Sequence, residues 1–207
     1  MEEYHKIDGI FERDLKSKKL IEGKYRSETV EFLKDLEWEF TEKIDGTNIR
    51  VHWDGHNVEF GGRTDNAQIP APLTNRLVDL FKGQDNEELF EQKFGAMEVT
   101  LYGEGYGAKI QNGGLYRDTQ ELILFDVKIG SNWQPRSSVD NIAKYFGIES
   151  VPVVLTGTIE DGINYVKGKP KSTIGTADME GVVGRPKMEL LDRCGKRVIV
   201  KIKARDW

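Results

Sequence analysis

Residues 48–53 alternate strictly between apolar and polar positions: Ile49, Val51 and Trp53 fall on one face, and Asn48, Arg50 and His52 on the other. A period of two predicts a half-buried strand with one face in the core and one in water. Asp54-Gly55 then reads as a hairpin signal, and "NVEFGGR" returns as a strand over 57–62. Further strand-like segments span 38–43, 97–104, 121–128, 151–155, 181–185 and 197–203. Helical spacing occurs between them. Ser27 is placed to cap a short helix carrying Val30, Leu33 and Leu36. Thr74 is expected to cap a second with Leu77, Leu80 and Phe81, stopped by Gly83, and Asn86 to begin a third with Leu89, Phe90 and Phe94. "SSVDNIAKYFG" at 137–147 puts Val139, Ile142, Ala143 and Phe146 on one stripe, closed by Gly147. Several strands follow one another without helical crossovers, so the expected class is α+β with an antiparallel sheet.

Composition narrows the class. With 207 residues, 38% hydrophobic and 31% charged, the chain has the balance of a soluble globular domain. The single cysteine, Cys194, allows no internal disulfide, and three histidines with one cysteine give no zinc pattern. No apolar run approaches the ~18 residues of a membrane span, and "MEEYHKIDGI" carries no signal region. An intracellular, cytoplasmic protein is expected, with a phage or viral source among the candidates. The net charge of −5 is opposite to that of a typical nucleic-acid binder. Any such role then needs a local basic surface, for which "KSKK" at 16–19 and "KGKPK" at 167–171 are candidates; solvated charge runs are their default reading.

The tetrapeptide Lys-Ile-Asp-Gly occurs twice, in "HKIDGI" at 5–10 and in "EKIDGTN" at 42–48. The flanks share nothing, so this is not an internal repeat. The second copy leads into the hairpin and is held by rigid elements, whereas the first lies near a terminus, where chains fray. Lys43 is therefore expected to be the working lysine and Lys6 a coincidence.

No Rossmann glycine motif, P-loop or Gly-x-Ser-x-Gly is present. Lysines and glutamates in strand contexts remain. In "RVIVKIKARD" Lys201 and Lys203 share one strand face and are placed to grip a phosphate. Glu104 lies in "LYGEGYG", Phe125 in "LILFDVK" and Glu180 in "MEGVVGRP". Taken singly, an amphipathic strand, solvated acids and a core phenylalanine explain these residues as well. Their order along the chain resembles the motif series of the covalent nucleotidyltransferases, the superfamily of ATP-dependent polynucleotide ligases and mRNA-capping enzymes. "EKIDGTN" resembles the RNA ligase branch, because Asn48 stands where DNA ligases and capping enzymes usually carry arginine.

That resemblance, over about 42–203, implies an antiparallel α+β adenylation domain in which Lys43 takes AMP from ATP. It implies that Glu42 reads the adenine edge, that Asn48 and Arg63 contact the ribose and phosphate, and that Phe125 stacks on the base. It further implies that Glu104 touches the ribose or a metal, that Glu180 supports a divalent cation (Mg²⁺ or Mn²⁺), and that Lys201 and Lys203 hold the α-phosphate. The activity implied is an ATP-dependent RNA ligase joining a 3′-hydroxyl to a 5′-phosphate through lysyl-AMP. Since an unperturbed ε-amine is protonated below ~10.4, the nucleophile needs positive neighbours that favour the free amine. Lys201, Lys203 and the cation are expected to supply them, with Asp45 orienting the amine. A single domain over 1–207 is expected, acting as a monomer. Only Ala204–Trp207 follow the last lysine, so no separate C-terminal domain is expected. Self-adenylylation is then better supported than strand sealing, with a separate RNA-binding partner as one way to supply the missing surface. The competing readings are a GTP-dependent capping-type transferase, a DNA ligase adenylation domain and a non-catalytic nucleotide- or RNA-binding relative.

Overall fold

Two hydrophobic cores organise the chain, and the computed structural model describes residues 1–207 around them. In chain order the elements are β1 (Asp8–Gly9), β2 (Phe11–Arg13), β3 (Leu20–Tyr25), α1 (Glu28–Phe32), β4 (Trp38–Glu42), β5 (Thr47–Trp53), β6 (Val58–Gly61), α2 (Ala71–Phe81) and α3 (Gln84–Phe94). They continue with β7 (Val99–Tyr106), β8 (Glu121–Ile129), β9 (Asn132–Trp133), α4 (Arg136–Tyr145), β10 (Glu149–Ser150), β11 (Val153–Gly157), α5 (Ile159–Lys167), β12 (Gly181–Pro186) and β13 (Val200–Lys203). One compact unit comprises Met1–His5 and Asp45–Val151, and the other Lys6–Ile44 and Pro152–Trp207.

In the first unit the sheet order is β10-β8-β7-β5-β6, with β9 paired to β8. The apolar face of β5 is buried as its period requires: Ile49, Val51 and Trp53 pack with Leu101 of β7 and Leu124 and Val127 of β8. Leu73, Leu77 and Phe81 of α2, Phe90 of α3 and Val139 of α4 close over that face, each fully buried. Each such side chain stabilises the unit by roughly 1.5–3 kcal/mol relative to exposure. The polar face of β5 departs from expectation, because it is not wet. Arg50 is fully buried, its guanidinium donating to Gly62 O (2.7 Å), Met1 O (3.0 Å) and Asp65 Oδ1 (2.9 Å). Residues 1–5 cover this face, with Tyr102 Oη donating to Glu2 O and Tyr4 Oη to Asp126. A period of two reports which residues share a face; what covers the second face depends on segments distant in sequence.

In the second unit the sheet order is β1-β13-β12-β4-β11, and β2 pairs with β3 as a separate hairpin. Trp38 and Phe40 of β4, Val182 of β12 and Ile202 of β13 pack beneath Ile159, Ile163 and Val166 of α5. That helix is absent from the sequence reading although its signals are there. Thr158 and Asp161 form a reciprocal capping box, and the three buried residues have helical spacing; Gly162 in its middle obscures the pattern.

Other expectations shift. Helix α2 begins at Ala71, behind Pro70, rather than at Thr74, and α3 begins at Gln84 rather than Asn86. Proline is tolerated in a first helical turn, where its missing N–H costs nothing. The first Lys-Ile-Asp-Gly does not fray. Asp8 and Gly9 pair in parallel with Val200 and Lys201 of β13, a partner invisible to local pattern.

Candidate active site

Backbone register assembles the charged centre of the second unit. Strand β4 ends at Glu42, and the next residue, Lys43, donates its N–H to Gly181 O at 2.9 Å. Gly181 in turn lies opposite Lys203. Glu180, just before β12, therefore stands between two lysines. Lys43 Nζ donates to its Oε2 at 2.5 Å, and Lys203 Nζ to its Oε1 at 2.7 Å. The Lys43, Glu180 and Lys203 side chains are 26%, 18% and 15% exposed, which limits screening of these contacts. Burial alone would push the Glu180 carboxyl up, but the ammonium groups of Lys43 and Lys203 outweigh it and hold it below the usual 4.5.

Lys201 shares the face of Lys203 but makes no ion pair of its own. Burial first, then the charges of Lys203 and Lys43, hold its ammonium below the usual 10.5. Positive charge with one carboxylate among three lysines is a site that gains by taking a second anion.

Glu42 is buried at 1% exposure. Its carboxylate accepts from the Ser172 hydroxyl, from Thr173 N at 2.9 Å and from Thr173 Oγ1 at 2.5 Å. It pins the loop that precedes β12. Sequence reasoning missed Ser172 and Thr173; the polar run "KSTIG" is their only local signal.

The remaining sequence candidates belong to the first unit. Asn48 on β5 and Glu104 on β7 are direct cross-strand partners, so they share a face. Asn48 Oδ1 is buried without a hydrogen-bond partner, which is unusual enough to point to a ligand or water contact. Asp45 N donates to Tyr116 Oη at 3.2 Å. Between Asp45 and β5, Gly46 runs so close to β7 that a Cβ there would sit 2.2 Å from Gly105 O. Arg63 is exposed beyond β6. Phe125 is half-buried, its ring edge-on to Tyr4 with centroids 5.0 Å apart. The structure thus brings Lys43, Glu180, Lys201 and Lys203 together in one unit and Asn48 with Glu104 in the other.

No curated protein sequence matches the chain. Solved structures of Naegleria gruberi RNA ligase do resemble it. A lysine-to-methionine variant with AMP and Mn superposes with a TM-score of 0.65 at 18% identity, over 84% of this chain and 52% of that one. An aspartate-to-alanine variant without ligand gives 0.66 at 17%, over 86% and 52%. A lysine-to-alanine variant with ATP and Mn gives 0.65 at 17%, over 84% and 51%. The chain spans about half the length of these neighbours, and at such identity the likeness establishes the fold. The family model described as RNA ligase matches residues 36–203, a stretch that contains both strand-end lysine sites and every candidate residue of the centre, and the chain belongs to the RNA ligase family.

Proposed function

We propose that this chain is an ATP-dependent RNA ligase that works through AMP covalently bound to Lys43. The carrying observation is the Glu180 carboxylate bridging Lys43 and Lys203, with the unpaired Lys201 beside them. Phosphoryl transfer asks a protein mainly for positioning and for positive charge around the phosphoryl oxygens. Lys43 supplies the nucleophile, held at a strand end rather than on a loop. Glu180 fixes the amine before ATP arrives, and the amine must release both its proton and this contact to attack. Lys201 and Lys203 hold the α-phosphate and stabilise the charge that develops on it.

No cluster of three or more acidic, histidine or cysteine side chains is present to cage a metal. A cation held by one or two carboxylates together with phosphates and water needs no such cage. Bound Mg²⁺ or Mn²⁺ would neutralise phosphate charge, and Glu180 is the residue of the lysine centre fitted to hold it. We assign Asn48, with its unsatisfied buried oxygen, and Glu104 to the nucleotide's ribose, Arg63 to its phosphates, and Phe125 to the base. The reading takes residues 1–207 as one adenylation domain because the family model runs through both compact units. AMP then passes to an RNA 5′-phosphate, and a 3′-hydroxyl displaces it. RNA is the substrate class the family implies; a monomer, and a separate partner that binds RNA, are our proposals. No helix is long and apolar enough to cross a membrane.

The test is incubation with α-labelled ATP and Mg²⁺, with GTP in parallel. Label should enter from ATP and not GTP, be lost in warm acid and persist in base, as a P–N bond requires, and vanish in Lys43→Ala. Full labelling of Lys43→Ala would sink the assignment.

A further inference from the structure

A cleft of about 460 Å³ opens at the β1 edge of the second unit's sheet. Its wall holds six cationic side chains and two carboxylates. Arg13 is paired to Asp206 at 2.6 Å, Arg26 faces Asp8 at 3.4 Å, and Lys203 is taken by Glu180. Lys6, Lys201 and Arg205 line the cleft with no ion pair. Such a surplus, in a chain of net charge −5, marks a place built for anions rather than a basic protein's average surface. Lys6, Gly9 and Arg26 precede the family-model match and Arg205 follows it, so this wall is a feature of the chain beyond the shared domain.

Sheet order sets where the cleft stands. Strands run β1-β13-β12-β4, with Lys43 at the end of β4 and Gly9 beside Lys201. At ~4.8 Å per strand, the β13 lysines lie roughly 10 Å from the Lys43 backbone, with the cleft one strand further on. A phosphorus atom held by Lys201 and Lys203 therefore lies between the Lys43 strand and the β1 side of the cleft, whose wall those two lysines share. Paired residues of neighbouring strands face the same side, so Gly9 leaves its space empty next to Lys201; a Cβ there would meet nothing within 4 Å.

We infer that Lys6 and Arg205 hold the phosphate group that stands in line opposite Lys43: pyrophosphate while ATP is consumed, and the RNA 5′-phosphate when AMP is handed on. This rests on the function proposed above. In the first step the Nζ–P bond forms, the P–O bond to the β-phosphate breaks, and the electron pair leaves on pyrophosphate, the amine having shed its proton to solvent. In the second, a 5′-phosphate oxygen attacks from the same side, the P–N bond breaks, and the amine takes up a proton. In-line displacement puts both groups in one place.

Three variants probe it: Lys6→Ala, Arg205→Ala, and Gly9→Leu, which fills the empty space beside Lys201. Inorganic pyrophosphate binding to the ligand-free protein is measured by calorimetry. So are the ATP concentration for half-maximal labelling, the pyrophosphate concentration for half-maximal reversal of preformed lysyl-AMP, and AMP transfer to a 5′-phosphorylated RNA. Each alanine variant should weaken pyrophosphate binding and reversal by about 5- to 20-fold, the range of one charged contact discounted for exposure, and raise the ATP concentration for half-maximal labelling. Loss confined to reversal assigns the cleft to pyrophosphate, and loss confined to RNA transfer assigns it to the 5′-phosphate. If all variants match wild type in every arm, the cleft has no such role. A wild type that binds pyrophosphate through Lys6 and Arg205 but takes no label would leave the cleft standing and remove the ligase reading. Should Gly9→Leu fail to fold, the exposed Lys6→Ala and Arg205→Ala decide alone.

Discussion

Replacing Glu180 by glutamine removes the one carboxylate between Lys43 and Lys203 while keeping its shape. The 2.5 and 2.7 Å contacts to the two ammonium groups are charge-assisted, worth ~1.5–3 kcal/mol each when fully buried. At 15–26% side-chain exposure solvent screens part of this, and the amide oxygen still accepts from one lysine. The net loss comes to about 1–3 kcal/mol, or roughly 2–12 °C in Tm for a chain of this size. The sign with pH follows from the folded carboxyl lying below its usual 4.5. Its stabilisation is fully present above 4.5 and is lost as pH falls through the lower folded-state value. Melting wild type and Glu180→Gln from neutral pH into acid should therefore show a gap that is widest above 4.5 and closes below it. A gap that stays constant, or never opens, would refute the electrostatic account. In parallel, labelling from ATP should drop by about 10²-fold, the cost of one misplaced catalytic contact. A lower Tm with full labelling would reduce Glu180 to a structural ion pair.

The two lysines of β13 should separate. Lys201→Ala sheds a half-buried, repelled ammonium and should melt no lower than wild type, whereas Lys203→Ala strips Glu180 of a partner and should melt lower; both should lose ~10² in labelling rate. Equal melting of the two variants would contradict their different pairing. The two copies of Lys-Ile-Asp-Gly should also differ. Gly46→Ala forces a Cβ to within 2.2 Å of Gly105 O and should cost about 1–3 kcal/mol, whereas Gly9→Ala meets open space and should change stability by under ~0.5 kcal/mol, read by denaturant titration. Equal stability of both would mean the β5–β7 approach is looser than described.

Local pattern carried the class of the fold and put the two candidate lysines of β13 on one strand face. Contiguous period-two segments cannot make a doubly wound sheet, and Lys201 and Lys203 share a face in any strand conformation. Lys43, Glu180 and the β13 pair stood out as candidates through their order along the chain before any contact was known. The pairing partners were not. That Glu180 bridges Lys43 and Lys203 follows from the register of β12 against both β4 and β13, which hydrogen bonds between distant segments impose. Arg50 looked solvent-facing because periodicity describes a strand, not what lies over it; residues 1–5 bury it. The same limit hid the first Lys-Ile-Asp-Gly. Locally it was four residues beside a terminus, and only its parallel pairing with β13 sets Gly9 next to Lys201 and Lys6 on the wall of the cleft. Local pattern dictates which way side chains point, whereas long-range backbone pairing decides which of them meet.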